Sequence, residues 1–262
     1  MQSLLQPLVS VVVITYNSGE FVSETLESIK DQTYPFLELI VSDDNSTDNT
    51  VEICRNWIAH NRSRFKRVEV IQSSINTGVS ANFNRGEARC MGDWVKGIAG
   101  DDILLPSCIQ DYVDYTTSHP DFQFLFGKVL CFGDDVERVK IANEQGFDYS
   151  KFNLSAQEQY NTLVFQRHNF VPAPTYFYNR IKAQELGLKC DERIPLLNDW
   201  PKWIHLTSRG IQLHLLDKFT VKYRIHRTSI STHGSKANKK GNYSFRLFFF
   251  LYIFLKLQIS RL

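Results

Sequence analysis

No glycine-rich phosphate cradle follows the first apolar run of this 262-residue chain. Neither G-x-G-x-x-G nor G-x-x-x-x-G-K-[ST] is present, which excludes a Rossmann dinucleotide fingerprint and a P-loop. Cysteine is sparse: Cys54, Cys90, Cys108, Cys131 and Cys190 are odd in number, widely spaced and without a C-x-x-C pair. That argues against a disulfide framework or a zinc site and fits a reducing cytosol. His60, His119, His168, His205, His214 and His233 form no ligand-spaced set. Long apolar runs are absent as well. The longest, residues 247–255, is nine residues, about half of what a bilayer span needs. The apolar stretch at 9–14 has no basic residues before it, so it reads as a strand and not as a secretory signal. Charge of one sign is nearly absent overall, at +2, yet it is unevenly placed. Residues 218–262 hold ten Lys/Arg and no Asp or Glu, leaving about −8 on residues 1–217. A basic tail on an acidic body predicts an anionic partner for the tail.

What is present is an alternation of strands and helices, each strand ending in a polar cluster. Val9-Ser10-Val11-Val12-Val13-Ile14 is a β-branched run, as in a strand covered on both faces, and it stops at Thr15-Tyr16-Asn17-Ser18-Gly19. A helical pattern carries Phe21, Leu26 and Ile29. A second strand at 37–42 ends in Asp43-Asp44-Asn45-Ser46-Thr47-Asp48, before a helix with Val51, Cys54, Trp57 and Ile58 that Thr47 or Asp48 can cap. A third at 68–71 runs into Asn76-Thr77-Gly78. A fourth at 94–98 ends in Gly100-Asp101-Asp102. This spacing predicts an α/β fold with a doubly wound sheet, whose ligands bind beyond the carboxyl ends of the strands. Two adjacent aspartates there do nothing for folding, because desolvating like charges is costly. They make sense holding a divalent cation and a phosphate-bearing ligand, although Asp-Asp also occurs in plain turns. An aspartate at a strand end, which only accepts, suits a pyrimidine imide or ribose hydroxyls.

Val9 to Asn17, Ser28-Ile29-Lys30-Asp31-Gln32-Thr33-Tyr34, Ile40 to Thr50, Asn76-Thr77-Gly78-Val79-Ser80 with Asn84, Gly92-Asp93-Trp94 and Gly100-Asp101-Asp102 together resemble family 2 glycosyltransferases over about the first 110 residues. The resemblance implies a GT-A fold, with a Rossmann-like mixed sheet and helices on both faces. It implies residues 1–110 as the nucleotide-sugar-binding half and 111–232 as the acceptor-binding half. Thr15, Tyr16 and Asn17 would lie beside nucleobase and ribose. Asp43 would accept from uracil with support from Asp44 or Asn45, Asn76 would join the nucleotide site, Asp101 would face ribose or metal, and Asp102 would ligate Mn²⁺ or Mg²⁺. Two departures stand out. Ala99 replaces a frequent aspartate, and Phe83 replaces a frequent arginine before Asn84.

An inverting transfer needs a carboxylate to take the acceptor's proton. By the same resemblance this is Asp199, in Leu197-Asn198-Asp199-Trp200-Pro201, where Asn198 replaces the usual glutamate. Capping of the following helix is the competing role for Asp199. Trp200 and Trp203 suit either sugar stacking or the core. The segment Tyr223-Arg224-Ile225-His226 resembles the family's closing motif, with Arg224 a phosphate or acceptor contact and His226 a weaker metal ligand. Asp134, Asp135 and Glu137 read as a solvated surface hairpin. Residues 233–262 read as a basic, aromatic tail with an amphipathic helix lying at a membrane interface, or docked on the protein itself.

The expected activity is sugar transfer from a nucleotide diphosphate donor, read as a UDP-sugar, to a lipid-linked saccharide acceptor in bacterial O-antigen, capsule or lipopolysaccharide synthesis. The expected location is cytoplasmic, on the inner face of the plasma membrane. A sugar nucleotidyltransferase and a non-catalytic nucleotide-sugar-binding assembly protein are the alternatives. No nucleic-acid partner is expected, and oligomeric state is not specified.

Overall fold

The computed structural model describes residues 6–194 and 198–226. The expected tail helix at 233–262 therefore lies outside the described residues. Eight strands form one mixed sheet in the order β3-β2-β1-β4-β7-β6-β8-β5. The first four are β1 (Val9–Thr15), β2 (Leu37–Asp43), β3 (Arg67–Gln72) and β4 (Trp94–Ala99). They are parallel, with Thr15 opposite Asp43 and Asp43 opposite Gln72. This register brings the polar strand ends to one edge. The remaining strands are β5 (Ile103–Leu104), β6 (Phe124–Phe132), β7 (Phe177–Asn179) and β8 (His214–Arg224). β7 runs antiparallel to β4, and β5 antiparallel to β8.

Helices α1 (Val22–Lys30), α2 (Thr50–Asn61) and α3 (Val79–Glu87) connect the parallel strands. Val11, Val13, Leu26, Ile29, Leu39, Val41, Cys54 and Ile98 join one buried cluster. The run at 9–13 is closed to water on both faces, as its mostly β-branched sequence leads one to expect. Helices α4 (Cys108–Ser118), α6 (Ala156–Val164), α7 (Arg180–Glu185) and α8 (Trp200–Thr207) belong to the second half.

The described residues group into two compact units: 6–130 with 145–194 and 198–224, and 131–144 with 225–226. Residues 136–145 form helix α5 (Val136–Gln145), all but its last residue in the smaller unit. This corrects the expected hairpin around Asp134, Asp135 and Glu137. Asp135 accepts from the Arg138 N–H, and its carbonyl accepts from Val139 N. The acidic cluster thus starts a helix. All five cysteines are buried.

Candidate functional site

The site is built at the carboxyl edge of β1, β2, β3 and β4. Thr15 ends β1 and donates its hydroxyl to Asp43 Oδ2 at 2.9 Å. Asp43 also accepts from Ser46 N at 2.9 Å and Ser46 Oγ at 2.5 Å. It is fully buried, so as the loop stands it organises residues 43–48 and does not face outward. Asn17 sits in the left-handed region at φ 51°, which asparagine tolerates. It accepts from Thr47 N at 2.8 Å and donates its own N–H to Ser46 Oγ at 2.8 Å. The two strand-end loops are thus locked to each other. Tyr16 is left 49% exposed at the rim.

Asp44 is buried and accepts from Thr77 N, Thr77 Oγ1 and Gly78 N at 2.9, 2.6 and 2.7 Å. Asn76 is exposed and accepts from Gly78 N at 3.1 Å. Sequence reasoning missed Arg85. From α3 its guanidinium reaches Asp44 Oδ1 at 3.0 Å and the Asp43 carbonyl at 3.2 Å. The arginine sought before Asn84 stands just after it, on the sheet-facing side with Asn82.

Asp102 is 2% exposed. Among the described residues its carboxylate accepts one hydrogen bond, from Arg224 N to Oδ1 at 2.9 Å. Burial first, and then the neighbouring Asp101, push its pKa well above the ordinary carboxylate range. Gly100 is required at this turn, since a Cβ would lie 2.8 Å from the Thr15 methyl. The Arg224 guanidinium donates to the Asp101 carbonyl at 2.8 Å and to Glu24 at 2.8 Å, over the Phe21 ring. It braces the Asp101–Asp102 turn against α1.

Asp199 stands at the N-cap position of α8 but makes no side-chain cap. Its Oδ2 instead accepts from Asn169 Nδ2 at 3.1 Å. Asn169 is another residue the sequence did not reveal. The described contacts tie Asp199 to the 169–176 segment and not directly to Asp102. Trp203 is core, edge-on to Phe126 at 4.8 Å, whereas Trp200 is half-buried at the start of α8. His226 belongs to the smaller unit.

The family model described as glycosyl transferase family 2 matches residues 10–183. The chain belongs to that family. An uncharacterized glycosyltransferase of Methanocaldococcus jannaschii, MJ1057, is 27% identical over 84% of this chain and 71% of its own. The UDP-Glc:alpha-D-GlcNAc-diphosphoundecaprenol beta-1,3-glucosyltransferase WfaP of Escherichia coli is 21% identical, over 87% of this chain and 82% of WfaP. Among solved structures, S. aureus TarS with UDP-GlcNAc superposes with a TM-score of 0.66 at 21% identity, over 85% of this chain. The mannosyltransferase PcManGT of Pyrobaculum calidifontis with GDP-Man and Mn²⁺ does so at 0.61 and 17%, over 91% of this chain. These likenesses establish the GT-A fold. The chain spans 60% of the TarS chain and 66% of PcManGT.

Proposed function

We propose that the chain moves a sugar from a nucleotide diphosphate, read as a UDP-sugar, to a lipid-linked saccharide in the assembly of a cell-surface polysaccharide. The carrying observation is the convergence of Thr15, Tyr16, Asn17, Asp43, Asp44, Asn76, Asp101 and buried Asp102 on one edge of parallel strands. The relatives support this reading. TarS holds UDP-GlcNAc, PcManGT holds GDP-Man with Mn²⁺, and WfaP is named for a UDP-Glc donor and a diphosphoundecaprenol-linked acceptor.

The donor atoms of Asp101 and Asp102 fit a hard cation, Mn²⁺ or Mg²⁺. The raised pKa of Asp102 is that of a buried carboxylate short of positive charge. Among the described residues no group of three or more His, Cys, Asp or Glu can hold a metal. An ion held by one or two carboxylates plus substrate phosphates does not need such a group. When bound, the cation stabilises the leaving diphosphate. Tyr16 offers its exposed ring to the nucleobase. Asp43, with a single donor on Oδ1, keeps acceptor capacity for it once the 43–48 loop shifts. Asp199 takes the acceptor hydroxyl's proton through Oδ1, since Asn169 holds Oδ2; the acceptor oxygen bonds to the donor sugar's anomeric carbon as the nucleoside diphosphate leaves, inverting that carbon. Trp200, next to the base, contributes a ring face for the acceptor.

A thermal-shift comparison of UDP, GDP, CDP and dTDP, with and without Mn²⁺, tests the donor site. UDP should raise the melting temperature most, and more with metal. Asp102→Asn should lose the metal-dependent part. Asp199→Asn should bind UDP undiminished while turnover falls by about 10²- to 10⁴-fold. Absence of a shift with all four nucleotides rejects the donor site, and full turnover in Asp199→Asn rejects the base.

A further inference from the structure

Two ammonium groups lie inside the larger unit without hydrogen bonds to the donor-edge side chains or to the Asp199 carboxylate, although the Lys96 charge reaches Asp102. Lys96, in β4, is fully buried, and Lys202, in α8, is 3% exposed. A buried cation costs several kcal/mol unless its surroundings compensate, whereas an apolar chain of similar volume carries no such cost. Lys96 Nζ donates to the carbonyls of Gly97 at 2.5 Å and Pro174 at 2.6 Å. It lies 5.4 Å from the centre of the Tyr176 ring.

Lys202 Nζ lies 5.0 Å from the same ring and 4.3 Å from that of Phe83, and its charge acts on the neighbouring Cys190 thiol and Glu87 carboxylate. Tyr176 is thus within cation–π reach of both ammonium groups. It crosses β4 only because residue 97 is glycine, where a Cβ would stand 1.7 Å from its hydroxyl oxygen. Lys202 N–H donates to the Asp199 carbonyl at 2.9 Å. A continuous path of contacts therefore runs from β4 through Lys96, the 172–176 turn and Tyr176 to Lys202 and the first turn of α8.

We propose that Lys96 is a positioning residue: acting through Pro174 and Tyr176, it sets the place of α8, and so of Asp199, relative to the Asp101–Asp102 end of β4. This rests on the reading of Asp102 and Asp199 given above. A methionine would fill the space but leave the Pro174 carbonyl without its donor and Tyr176 without one of its two cations. The turn and the start of α8 would loosen while the nucleotide-side loops stayed in place.

Hydrogen-exchange mass spectrometry on the full chain and its Lys96→Met variant tests this, with UDP as the binding probe. Exchange at residues 171–176 and 199–206 should rise by about tenfold while residues 9–15 and 37–43 keep their protection. UDP affinity measured without metal should change by less than about twofold. Lys202→Met should loosen the same two segments, and the double variant should loosen them no further than the stronger single variant, as residues on one path do. Lys96→Arg, which keeps the charge, should restore most of the protection. Unchanged exchange at 171–176, or a rise spread evenly over the sheet, overturns the proposal. If Lys96→Met does not fold, Lys202→Met and Lys96→Arg read out the same segments. If UDP does not bind the unmodified chain, the donor reading fails, and the exchange pattern still decides whether Lys96 couples β4 to α8.

Discussion

Lys96 and Asp102 are both enclosed, and burial moves their pKa values in opposite directions. Burial lowers Lys96 from 10.5 to about 8 because it disfavours the charged amine. Between those two values the unfolded chain holds a proton that the folded chain has released. Stability therefore rises with pH through the window from about 8 to 10.5, by about 3 kcal/mol for this group. Lys96→Met should abolish that increment. In urea unfolding, the variant's stability relative to the unmodified chain should be highest near neutral pH and fall toward pH 10. Parallel pH profiles for the two proteins would show that Lys96 is not held in this shifted state. The Asp101–Asp102 pair was legible in the sequence because like charges at a strand end have no folding rationale. Lys96, Arg85 and Asn169 were not. A lysine inside an apolar strand reads as an outward-facing residue, and Pro174, which gives it meaning, is 78 residues away.

At the scale of elements, β1 to β4 were legible because parallel strands buried on both faces are unbroken β-branched runs that end in polar turns. The second half resisted the same reading. β6 and β8 are nine and eleven residues long, and their neighbours in the sheet come from distant parts of the chain. α5 buries no residue at all, so it lacks the apolar stripe that announces a helix. Its acidic start reads equally well as a turn. α6 does carry a local signal, a capping box in which Ser155 accepts from Glu158 N while Glu158 accepts from Ser155 N at 2.9 Å. Ser155→Ala should cost about 1 kcal/mol and lower the melting temperature by about 2–4 °C, with UDP binding unchanged. A loss well beyond that would mean that the 149–153 turn, whose carbonyls at Lys151 and Phe152 Gln159 of α6 also holds, comes apart with the cap.

For the whole molecule, the charge distribution sets an expectation independent of the donor site. All 28 acidic residues precede Lys218, whereas ten of the thirty basic ones follow from there on. No helix among the described residues is long and apolar enough to cross a membrane. In the 247–255 segment nine apolar residues stand between Arg246 and Lys256. That composition suits insertion at an interface, assisted by about 1 kcal/mol per basic side chain near an anionic surface. An acceptor carried on a lipid would then be met where it resides. Deleting residues 243–262 should abolish co-sedimentation with phosphatidylglycerol vesicles and leave the melting temperature of the body unchanged. Replacing Arg246, Lys256 and Arg261 by glutamine should weaken binding to these vesicles but not to neutral ones, and should remove most of its salt dependence. A truncated chain that precipitates or melts early would instead place the apolar segment against the protein's own surface. The basic residues would then be left without a membrane role.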